Sequence, residues 1–222
     1  TVLYLEGDDK YDHRILRSAK NRFGTTNEVG IFRMENNGLI EVDNPSELFL
    51  SERQNNITGS TIFPSLEGSR PILVEIQALA SNANFGTPQR NVNGFDYKRL
   101  AMLLAVLEKR LGVQIGTKDV FVNLVGGLKV NDPAADLSVI SAVASSVKDQ
   151  QISDSVVLIG EVGLGGEVRS VSGLDTRINE SKSLGFKTII APSSNVKRLK
   201  DLPKSIEIFG ISNVVEAFHK LF

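Results

Sequence analysis

The sequence predicts an α/β protein in which a short, mainly β segment precedes a longer layered domain. Two observations carry this prediction. Residues 1–42 hold short runs of β-branched and aromatic residues, and Asn37-Gly38 between two of them is a strong hairpin-turn signal. From about residue 60 onward, strand-like apolar runs alternate with segments of helical periodicity, as in layered α/β domains. We therefore divide the chain into residues 1–50, a linker over 51–59, and a domain over 60–222.

The first segment should be mostly β-structure. Strands are expected over residues 2–5, 14–19, 29–34 and 39–42. Asn44-Pro45-Ser46-Glu47 then opens a short helix, which Leu48, Phe49 and Leu50 would anchor through apolar contacts. About 45 residues are too few to form a stable domain alone, and the polar stretch over residues 52–59 is typical of a linker.

The second segment alternates between the two kinds of element. Strands are expected over residues 60–64, 71–80, 120–125, 156–162, 167–171, 188–191 and 206–209. Helices are expected over residues 95–111, from Asp132-Pro133, over 174–184, over 195–202 and from residue 212. Glycine follows two of these helices directly, at Gly112 and Gly185. Residues 81–94 are rich in Asn, Gly and Pro and predict a loop.

Composition excludes several classes of site. The absence of cysteine rules out disulfides and thiolate metal sites in this sequence and fits a reducing, cytoplasmic location. Its histidines, His13 and His219, lie far apart, which argues against a histidine metal site. No apolar run reaches membrane-spanning length, so we expect no membrane association. The chain begins abruptly inside a strand-like run, which suggests a fragment of a longer protein.

Charge is balanced overall but uneven along the chain. The net charge of −1 does not advertise a nucleic-acid partner. Residues 169–204, however, contain eight basic and three acidic residues, a surplus of five positive charges. Such a surface can meet phosphates, or it can simply be the solvated side of lysine-rich helices. Four basic residues are candidate DNA contacts: Arg90, Lys98, Arg99 and Arg169.

A short motif near the N-terminus is the first strong functional signal. It reads Lys20, Asn21, Arg22, Phe23 and Gly24. On a strand, Lys20 and Arg22 would point to the same face and could grip one phosphate cluster. Arginine also suits the stabilisation of charge on a phosphoryl group in transfer.

This pentapeptide, KNRFG, resembles the signature of the RadA/Sms family of bacterial DNA-repair ATPases. Residues 1–7 and 14–17 resemble the closing strands of the same family's RecA-like ATPase domain. The resemblance implies that Lys20 and Arg22 reach the nucleotide of a neighbouring subunit and couple hydrolysis to DNA movement. It also implies ATP or ADP with Mg in the full-length protein, and zinc and a phosphate loop only in regions outside this chain. Further implied partners are single-stranded and branched DNA, a homo-oligomer, expected to be a hexamer, and the recombinase RecA.

A second resemblance covers most of the remaining chain. Residues 160–168, Gly-Glu-Val-Gly-Leu-Gly-Gly-Glu-Val, are similar to a Lon-protease stretch, and residues 126–136 are similar to the Lon segment that carries the nucleophile. The implied fold is Lon-protease-like, of the kind also seen in ribosomal protein S5 domain 2. Lon-type enzymes place their serine in P-S-A-G, where this chain has Ala134, and their lysine in G-G-L-K, where it has Asp175. Without a nucleophile or a base at these positions, peptidase activity is not expected.

Weaker patterns have simpler explanations. Residues 126–129 are glycine-rich, but no G-x-x-x-x-G-K-[ST] phosphate loop occurs in the chain. Four carboxylates, Asp132, Asp136, Glu161 and Asp175, could form a metal cluster, although a helix cap and surface carboxylates explain them more simply. Three functions remain open at this point. The chain could belong to an ATP-driven branch-migration motor, to a Lon-like peptidase with a displaced dyad using Ser138 or Ser172, or to a purely structural oligomerisation module.

Overall fold

An antiparallel sheet forms the first part of the molecule. The computed structural model of the protein describes residues 1–7, 12–26, 28–83, 86–199 and 205–222. Each strand of this four-stranded sheet pairs with the next along the chain: β1 (Val2–Glu6), β2 (His13–Lys20), β3 (Val29–Glu35) and β4 (Gly38–Glu41). The four strands predicted for this segment are thus confirmed, with a turn at Asn36-Asn37 between the last two and Gly38, at a φ of +110°, as the first residue of β4.

Helix α1 (Pro45–Leu50) joins this sheet to the rest of the protein. Asn44 caps it by accepting a hydrogen bond from the Glu47 backbone N–H, as asparagine does at helix starts. Phe49 is buried and packs directly against Gly126, where an added Cβ would lie 2.4 Å from the phenyl ring. Gly126 also has a φ of +85°, so this close approach needs glycine for both reasons. The short helix predicted here is confirmed.

A seven-stranded mixed sheet forms the second part. The remaining strands are β5 (Ser60–Glu67), β6 (Arg70–Asn82), β7 (Arg90–Asn93), β8 (Lys118–Leu124), β9 (Val156–Leu158), β10 (Glu161–Val162), β11 (Val168–Arg169), β12 (Thr188–Pro192) and β13 (Glu207–Ile211). In the large sheet the order is β13-β12-β9-β5-β6-β8-β7, and β10 pairs with β11 as a separate hairpin. β5 and β6 lie at the centre, which explains their apolar sequences: both faces are covered, and most of their residues are buried.

Five helices accompany this sheet: α2 (Tyr97–Leu111), α3 (Asp136–Lys148), α4 (Leu174–Ser183), α5 (Ser193–Val196) and α6 (Val214–Leu221). α2 ends at Gly112 in the left-handed conformation, as the sequence predicts. In α3, every residue from 136 to 145 is buried. Its serines and alanines allow this because small side chains let strands and helices approach from several sides, and Ser138 and Ser145 donate hydrogen bonds to backbone carbonyls.

Three predicted elements differ from the structure. Residues 90–93 form strand β7 inside the predicted loop. The single strand predicted over residues 156–162 is two strands, β9 and β10, because the chain turns at Gly160 into the β10–β11 hairpin. The helix predicted over residues 195–202 is instead the short α5, and residues 200–202 lie outside the described residues. Within the described ranges, no helix is both long and apolar enough to cross a membrane.

The segment between the two parts is fastened at several points. The Arg53 guanidinium donates to the backbone carbonyl of Asp154 at 2.9 Å and contacts its carboxylate at 3.2 Å. The other Asp154 carboxylate oxygen accepts from the Asn56 backbone N–H at 3.1 Å. Thr58 donates to Asp149 at 3.3 Å. Residues 51–59 therefore connect the two parts as an anchored segment, although their polar composition is typical of a flexible linker.

Candidate functional site

The KNRFG motif forms an exposed loop at the end of β2. Lys20 is the last residue of the strand, and residues 22–24 form a bend. The alternation of side chains along β2 therefore stops before Arg22, so the expectation that Lys20 and Arg22 share one strand face is not met. Lys20, Arg22 and Phe23 are all exposed. We call residues 20–24 the 20–24 loop.

Asn21 organises this loop. Its amide nitrogen donates to the backbone carbonyl of Thr25 at 3.3 Å, and its amide oxygen accepts from the Phe23 backbone N–H at 3.4 Å. Gly24 lies against the same amide, since an added Cβ would be 2.9 Å from the Asn21 nitrogen. An asparagine that bonds the backbone two residues on is a standard way to shape a tight turn. The asparagine and the glycine of the motif thus have structural roles.

Arg22 and Phe23 are the parts of the loop presented outward. Phe23 is 92% exposed, the highest value among the large apolar residues described. The Arg22 guanidinium carbon lies 5.8 Å from the centre of its ring, within cation–π range. Such a contact favours an ordered arginine over a freely rotating one. The loop therefore displays an oriented cation beside an uncovered aromatic ring, a combination enriched at protein interfaces.

The two positions matched to the Lon catalytic pair lie in different environments. Ala134 is 1% exposed, in a 3-10 helix (Pro133–Ala135) directly before α3. Asp175 is exposed in the first turn of α4. The Asp132 side chain caps the 3-10 helix by accepting from the Ala134 backbone N–H at 3.0 Å. Both matched positions thus lie at helix starts, with side chains that cannot act as nucleophile and base.

A buried arginine fills the space between these helix starts. Arg177 on α4 is fully buried, with its guanidinium paired to the Asp132 carboxylate. It also donates to the backbone carbonyls of Ser172, at 3.1 Å, and Pro64. Burial lowers the pKa of Arg177, and attraction and hydrogen bonding from Asp132 oppose that effect. Sequence reasoning missed this residue, although its spacing from Leu174 and Ser181 on α4 places it on the helix's buried side.

Ser138 and Ser172, the two serines near the degenerate pair, lie in different environments. Ser138 is fully buried and donates to the Leu158 backbone carbonyl at 2.8 Å, so its hydroxyl is used inside the core. Ser172 is exposed, and its carbonyl accepts from Arg177. A nucleophilic serine must be within hydrogen-bond reach of a general base, whereas the Ser138 hydroxyl is directed at a backbone carbonyl. The geometry therefore offers no support for a displaced dyad at Ser138.

A second ion pair lies at the start of α3. Arg99 donates through Nε to the fully buried Asp136 carboxylate at 2.6 Å and through a second nitrogen to its other oxygen. The same carboxylate accepts from the Val162 backbone N–H at 2.9 Å. Burial raises the pKa of Asp136, while the bonds from Arg99 and Val162 counteract it. This pair ties α2, α3 and the β10–β11 hairpin together.

The candidate DNA contacts differ in how free they are. Arg99 is held by Asp136, and Arg90, which was expected in a loop, lies on β7 with its guanidinium donating to the backbone carbonyls of Ile115 and Lys118. Arg169 is exposed but contacts Glu167 at 2.5 Å. Lys98 is exposed on the first turn of α2. Of these four, Lys98 is the cation that the structure leaves most accessible.

The basic stretch over residues 169–204 is divided by the fold. Arg177 is buried, and Lys200 and Lys204 lie outside the described residues. Of the other five cations, Arg169 lies on β11 and is paired with Glu167, whereas four are exposed at opposite ends of β12. Lys182 and Lys187 precede the strand, and Lys197 and Arg198 follow its far end and α5. The surplus of positive charge therefore does not form one continuous patch.

The four carboxylates considered as a metal cluster are separated or paired. Asp132 pairs with Arg177 and Asp136 with Arg99. Glu161 lies 3.7 Å from the Arg99 guanidinium, and Asp175 is exposed on α4. In the part of the chain that the structure describes, no group of three or more His, Asp or Glu side chains is placed to hold a metal ion.

A cleft of about 950 Å³ opens between the two sheets. Its charged and titratable lining residues are Glu6, His13, Arg17, Glu67, Lys129 and Asp132. Several of these already have partners, because Arg17 pairs with both Glu6 and Glu67, and Asp132 pairs with Arg177. The cleft therefore marks where the N-terminal sheet meets the larger part of the molecule.

The comparisons with known proteins agree with this architecture. Residues 112–219 match the family model of the Lon protease (S16) C-terminal proteolytic domain. Three similar curated proteins are each called DNA repair protein RadA. The chain is 48% identical to the one from Halalkalibacterium halodurans and 50% to the one from Bacillus subtilis, in both cases over 98% of the chain and 47% of the relative. It is 45% identical to the one from Streptococcus pneumoniae, over 100% of the chain and 53% of the relative.

The fold defines the class: a mixed α/β protein with a Lon C-terminal protease-like domain. An antiparallel sheet that carries the exposed Lys-Asn-Arg-Phe-Gly loop is joined to this domain. The extent and identity of the match to the curated relatives then give the family. The chain belongs to the RadA family of DNA repair proteins, and it spans about half the length of the curated relatives it matches. The resemblance noted in the sequence is thereby confirmed.

Proposed function

We propose that the protein works in DNA repair and homologous recombination as a DNA-dependent ATPase that drives branch migration of recombination intermediates. In this proposal the chain supplies the trans-acting residues Lys20 and Arg22 and a scaffold for ring assembly and DNA binding. The observation that carries it is the 20–24 loop: an ordered arginine, an exposed lysine and an uncovered Phe23 at the end of one strand. Membership in the RadA family supports it.

The chemistry of the loop follows from its charges. ATP with Mg would be bound by the part of the protein that lies outside this chain, with zinc also held there. Lys20 and Arg22 would approach the phosphates from the neighbouring subunit and stabilise charge that develops on the transferring phosphoryl group. Phe23 would pack against that neighbour, since an aromatic ring this exposed gains most when an interface covers it.

The remaining assignments complete the proposal. The assembly would be a hexameric ring that acts on single-stranded and branched DNA in the cytoplasm, together with the recombinase RecA. A motor that moves along DNA should hold the backbone, because backbone contacts do not depend on sequence. The exposed cations Lys98, Lys182, Lys187, Lys197 and Arg198 are the best placed for this role. Arg90, Arg99 and Arg169 would contribute only if DNA displaced their present partners.

The ATPase proposal is tested with Lys20→Ala and Arg22→Ala in the full-length protein. Nucleotide binding, followed with a fluorescent ATP analogue, should be preserved because the cations act across a subunit boundary. Trans-acting arginines in other nucleotide hydrolases are worth roughly 10³–10⁵ in turnover, so DNA unwinding should fall at least about a hundredfold. Normal unwinding of a forked substrate by both variants would contradict the assignment.

The DNA-binding proposal is tested separately by charge reversal. Lys197→Glu with Arg198→Glu should weaken binding of assembled rings to all sequences alike. It should also reduce the log–log salt slope by up to about 0.9 per lost phosphate contact on duplex DNA. Lys182→Glu with Lys187→Glu, at the other end of β12, tests the second group of exposed cations with the same change in net charge. If neither pair affects binding, or if wild-type rings bind no DNA at low salt, the Lon-like domain is a structural scaffold alone.

A further inference from the structure

Strand β2 has two faces with different surroundings. His13, Ile15 and Arg17 share one face, and a β-bulge opposite Val2 and Leu3 interrupts the alternation of side chains before Lys20. The first face is packed. The His13 ring lies 5.0 Å from the Phe49 ring in an edge-on arrangement, and Ile15 is 7% exposed. β2 thus presents one face to α1 and the larger domain while its far end presents Lys20 outward.

Arg17 links β2 both to the N-terminal sheet and to the seven-stranded sheet. Its Nε donates to the Glu6 carboxylate on β1 at 2.9 Å, and its Nη2 lies 2.6 Å from a carboxylate oxygen of Glu67 on β5. The Glu67 side chain is only 10% exposed, whereas that of Glu6 is 54% exposed. A charge pair shielded from water is screened less by salt than an exposed one. The Arg17–Glu67 pair is therefore the stronger of the two links.

The location of this pair suits transmission of movement. Glu67 ends β5, which lies between β9 and β6 in the middle of the seven-stranded sheet. Arg17 is three residues from Lys20 on the same strand, a separation of about 10 Å, with the bulge opposite Val2 and Leu3 between them. Because a paired strand resists stretching, a displacement of the 20–24 loop along the strand direction must also move Arg17.

Other contacts also connect the N-terminal part of the chain to the larger domain, but they involve α1 and the residues before it, not β2. Ser46 on α1 is fully buried, donates to the Glu180 carboxylate at 2.6 Å and accepts from the Leu73 backbone N–H at 3.0 Å. Arg70 donates to the Asp43 backbone carbonyl at 2.8 Å. These bonds fix the chain that follows the N-terminal sheet. The Arg17–Glu67 pair adds a direct link from the strand that carries the loop.

We infer that Arg17 and Glu67 are positioning residues that couple the 20–24 loop to the Lon-like domain. Movement of the loop against a neighbouring subunit reaches the central strand β5 through this ion pair, so that hydrolysis and displacement of DNA stay in step. This inference rests on the proposed function of the loop. It assigns to two residues outside the KNRFG motif a role in coupling, with no direct contact to nucleotide or DNA.

The experiment compares variants of the full-length protein by the number of base pairs unwound per ATP hydrolysed on a forked DNA. Arg17→Met and Glu67→Met should each lower this ratio about three- to tenfold, in the range by which residues along a coupling path modulate function. The double variant should lose no more than either single variant, because all three remove the same contact. Glu6→Gln, which breaks only the link within the N-terminal sheet, is the matched control and should keep the wild-type ratio.

Two measurements separate coupling from damage to the fold. The variants should retain nucleotide binding and ring assembly, and Arg17→Lys, which keeps the positive charge, should restore the ratio to within about twofold. If Glu67→Met fails to assemble, Glu67→Gln keeps the shape without the charge and should show a smaller loss in the same direction. A wild-type ratio in Glu67→Gln and Arg17→Met, or additive losses in the double variant, would overturn the inference.

Failure of this inference can be told apart from failure of the proposed function. If Lys20→Ala and Arg22→Ala lose unwinding while Arg17→Met and Glu67→Met keep the wild-type ratio, the loop acts as proposed and the ion pair has no part in coupling. If the Lys20 and Arg22 variants themselves unwind normally, the function proposed for the loop is wrong and the inference falls with it.

Discussion

Two regions of this chain match motifs of catalytic proteins, and they differ in how far their side chains are exposed. The region of the Lon dyad is closed at Ala134, which is buried, while the other matched position, Asp175, is exposed. The buried Arg177 pairs with Asp132 between the two helix starts. The 20–24 loop is open, with Phe23 and its neighbouring cations exposed. Both regions contain arginine, but Arg177 bonds to Asp132 and to two backbone carbonyls inside the domain, whereas Arg22 contacts the adjacent ring and is exposed.

This difference shows how a retained fold can change its use. Buried polar groups need partners, so the loss of a catalytic pair leaves a space that other polar groups or apolar side chains must fill. Here the buried Arg177 on α4 pairs with Asp132, which caps the 3-10 helix that precedes α3. An exposed loop carries no such requirement. Its exposed side chains are explained only by what they contact outside this chain.

The largest expected effect is on the closed region. Arg177→Met should lower the free energy of unfolding by about 3–5 kcal/mol, because it leaves Asp132 without its partner beside a buried space. Chemical denaturation of the Lon-like region, followed by circular dichroism, measures this change. Arg198→Met, an exposed arginine nearby in sequence, is the control and should change stability by less than about 0.5 kcal/mol. Equal stability of the two variants would show that the buried pair does not hold the fold.

Ser138→Ala should have a smaller effect of the same kind. The variant loses a buried hydrogen bond to the Leu158 carbonyl, which leaves that acceptor short of a partner and costs about 1–3 kcal/mol. It should not alter proteolysis, because neither the wild type nor Ser172→Ala should cleave casein. Reproducible cleavage that disappears in Ser138→Ala or Ser172→Ala would reopen the peptidase interpretation.

The stability of the contact between the N-terminal sheet and α1 should depend weakly on pH, because His13 lies in this contact. Burial lowers the pKa of His13, the positive charge of Arg14 lowers it further, and Asp12 opposes both. The folded protein therefore binds fewer protons at this site than the unfolded chain. Its contribution to stability is complete above the ordinary pKa of 6.5 and declines as pH falls below that value. His13→Phe should flatten this part of the stability–pH profile, and an unchanged slope would argue against the effect.

The smallest effect on stability is expected in the open loop. Phe23→Ala should change the free energy of unfolding by less than about 0.5 kcal/mol, since the ring is 92% exposed. Assembly of the full-length protein, measured by sedimentation, should nevertheless weaken if the ring is covered by a neighbouring subunit. Unchanged assembly together with unchanged stability would leave Phe23 without the interface role proposed for it.

Sequence reasoning was most successful where local rules decide the outcome. The predicted hairpin forms with its turn at Asn36-Asn37, directly before Gly38. Asn44 and Asp132 begin helical segments and Gly112 ends α2, because turns and caps depend on a few adjacent residues. The absence of the dyad at Ala134 and Asp175 also follows from residue identity alone. These features need no knowledge of distant contacts.

What the sequence could not supply are pairings over long separations. Arg99 meets Asp136, and Arg177 meets Asp132, across 37 and 45 residues respectively. Charged residues of this kind look like surface cations in a sequence, so Arg99 was taken as a DNA contact and Arg177 was counted in the basic stretch. Strand β7 was missed because its four residues lie among Asn, Gly and Pro and gain their stability from pairing with β8.

The most direct test of the central claim asks whether the 20–24 loop acts on a neighbouring subunit. Full-length Arg22→Ala protein would be mixed with a second variant whose own nucleotide site is disabled and whose loop is intact. Each variant alone should hydrolyse almost no ATP in the presence of DNA. In mixed rings, an intact loop from the second variant can face an intact nucleotide site of the first, so DNA-dependent hydrolysis should reappear and peak near equal proportions. A mixture that remains as inactive as its two components, although mixed rings form, would contradict an action across the subunit boundary.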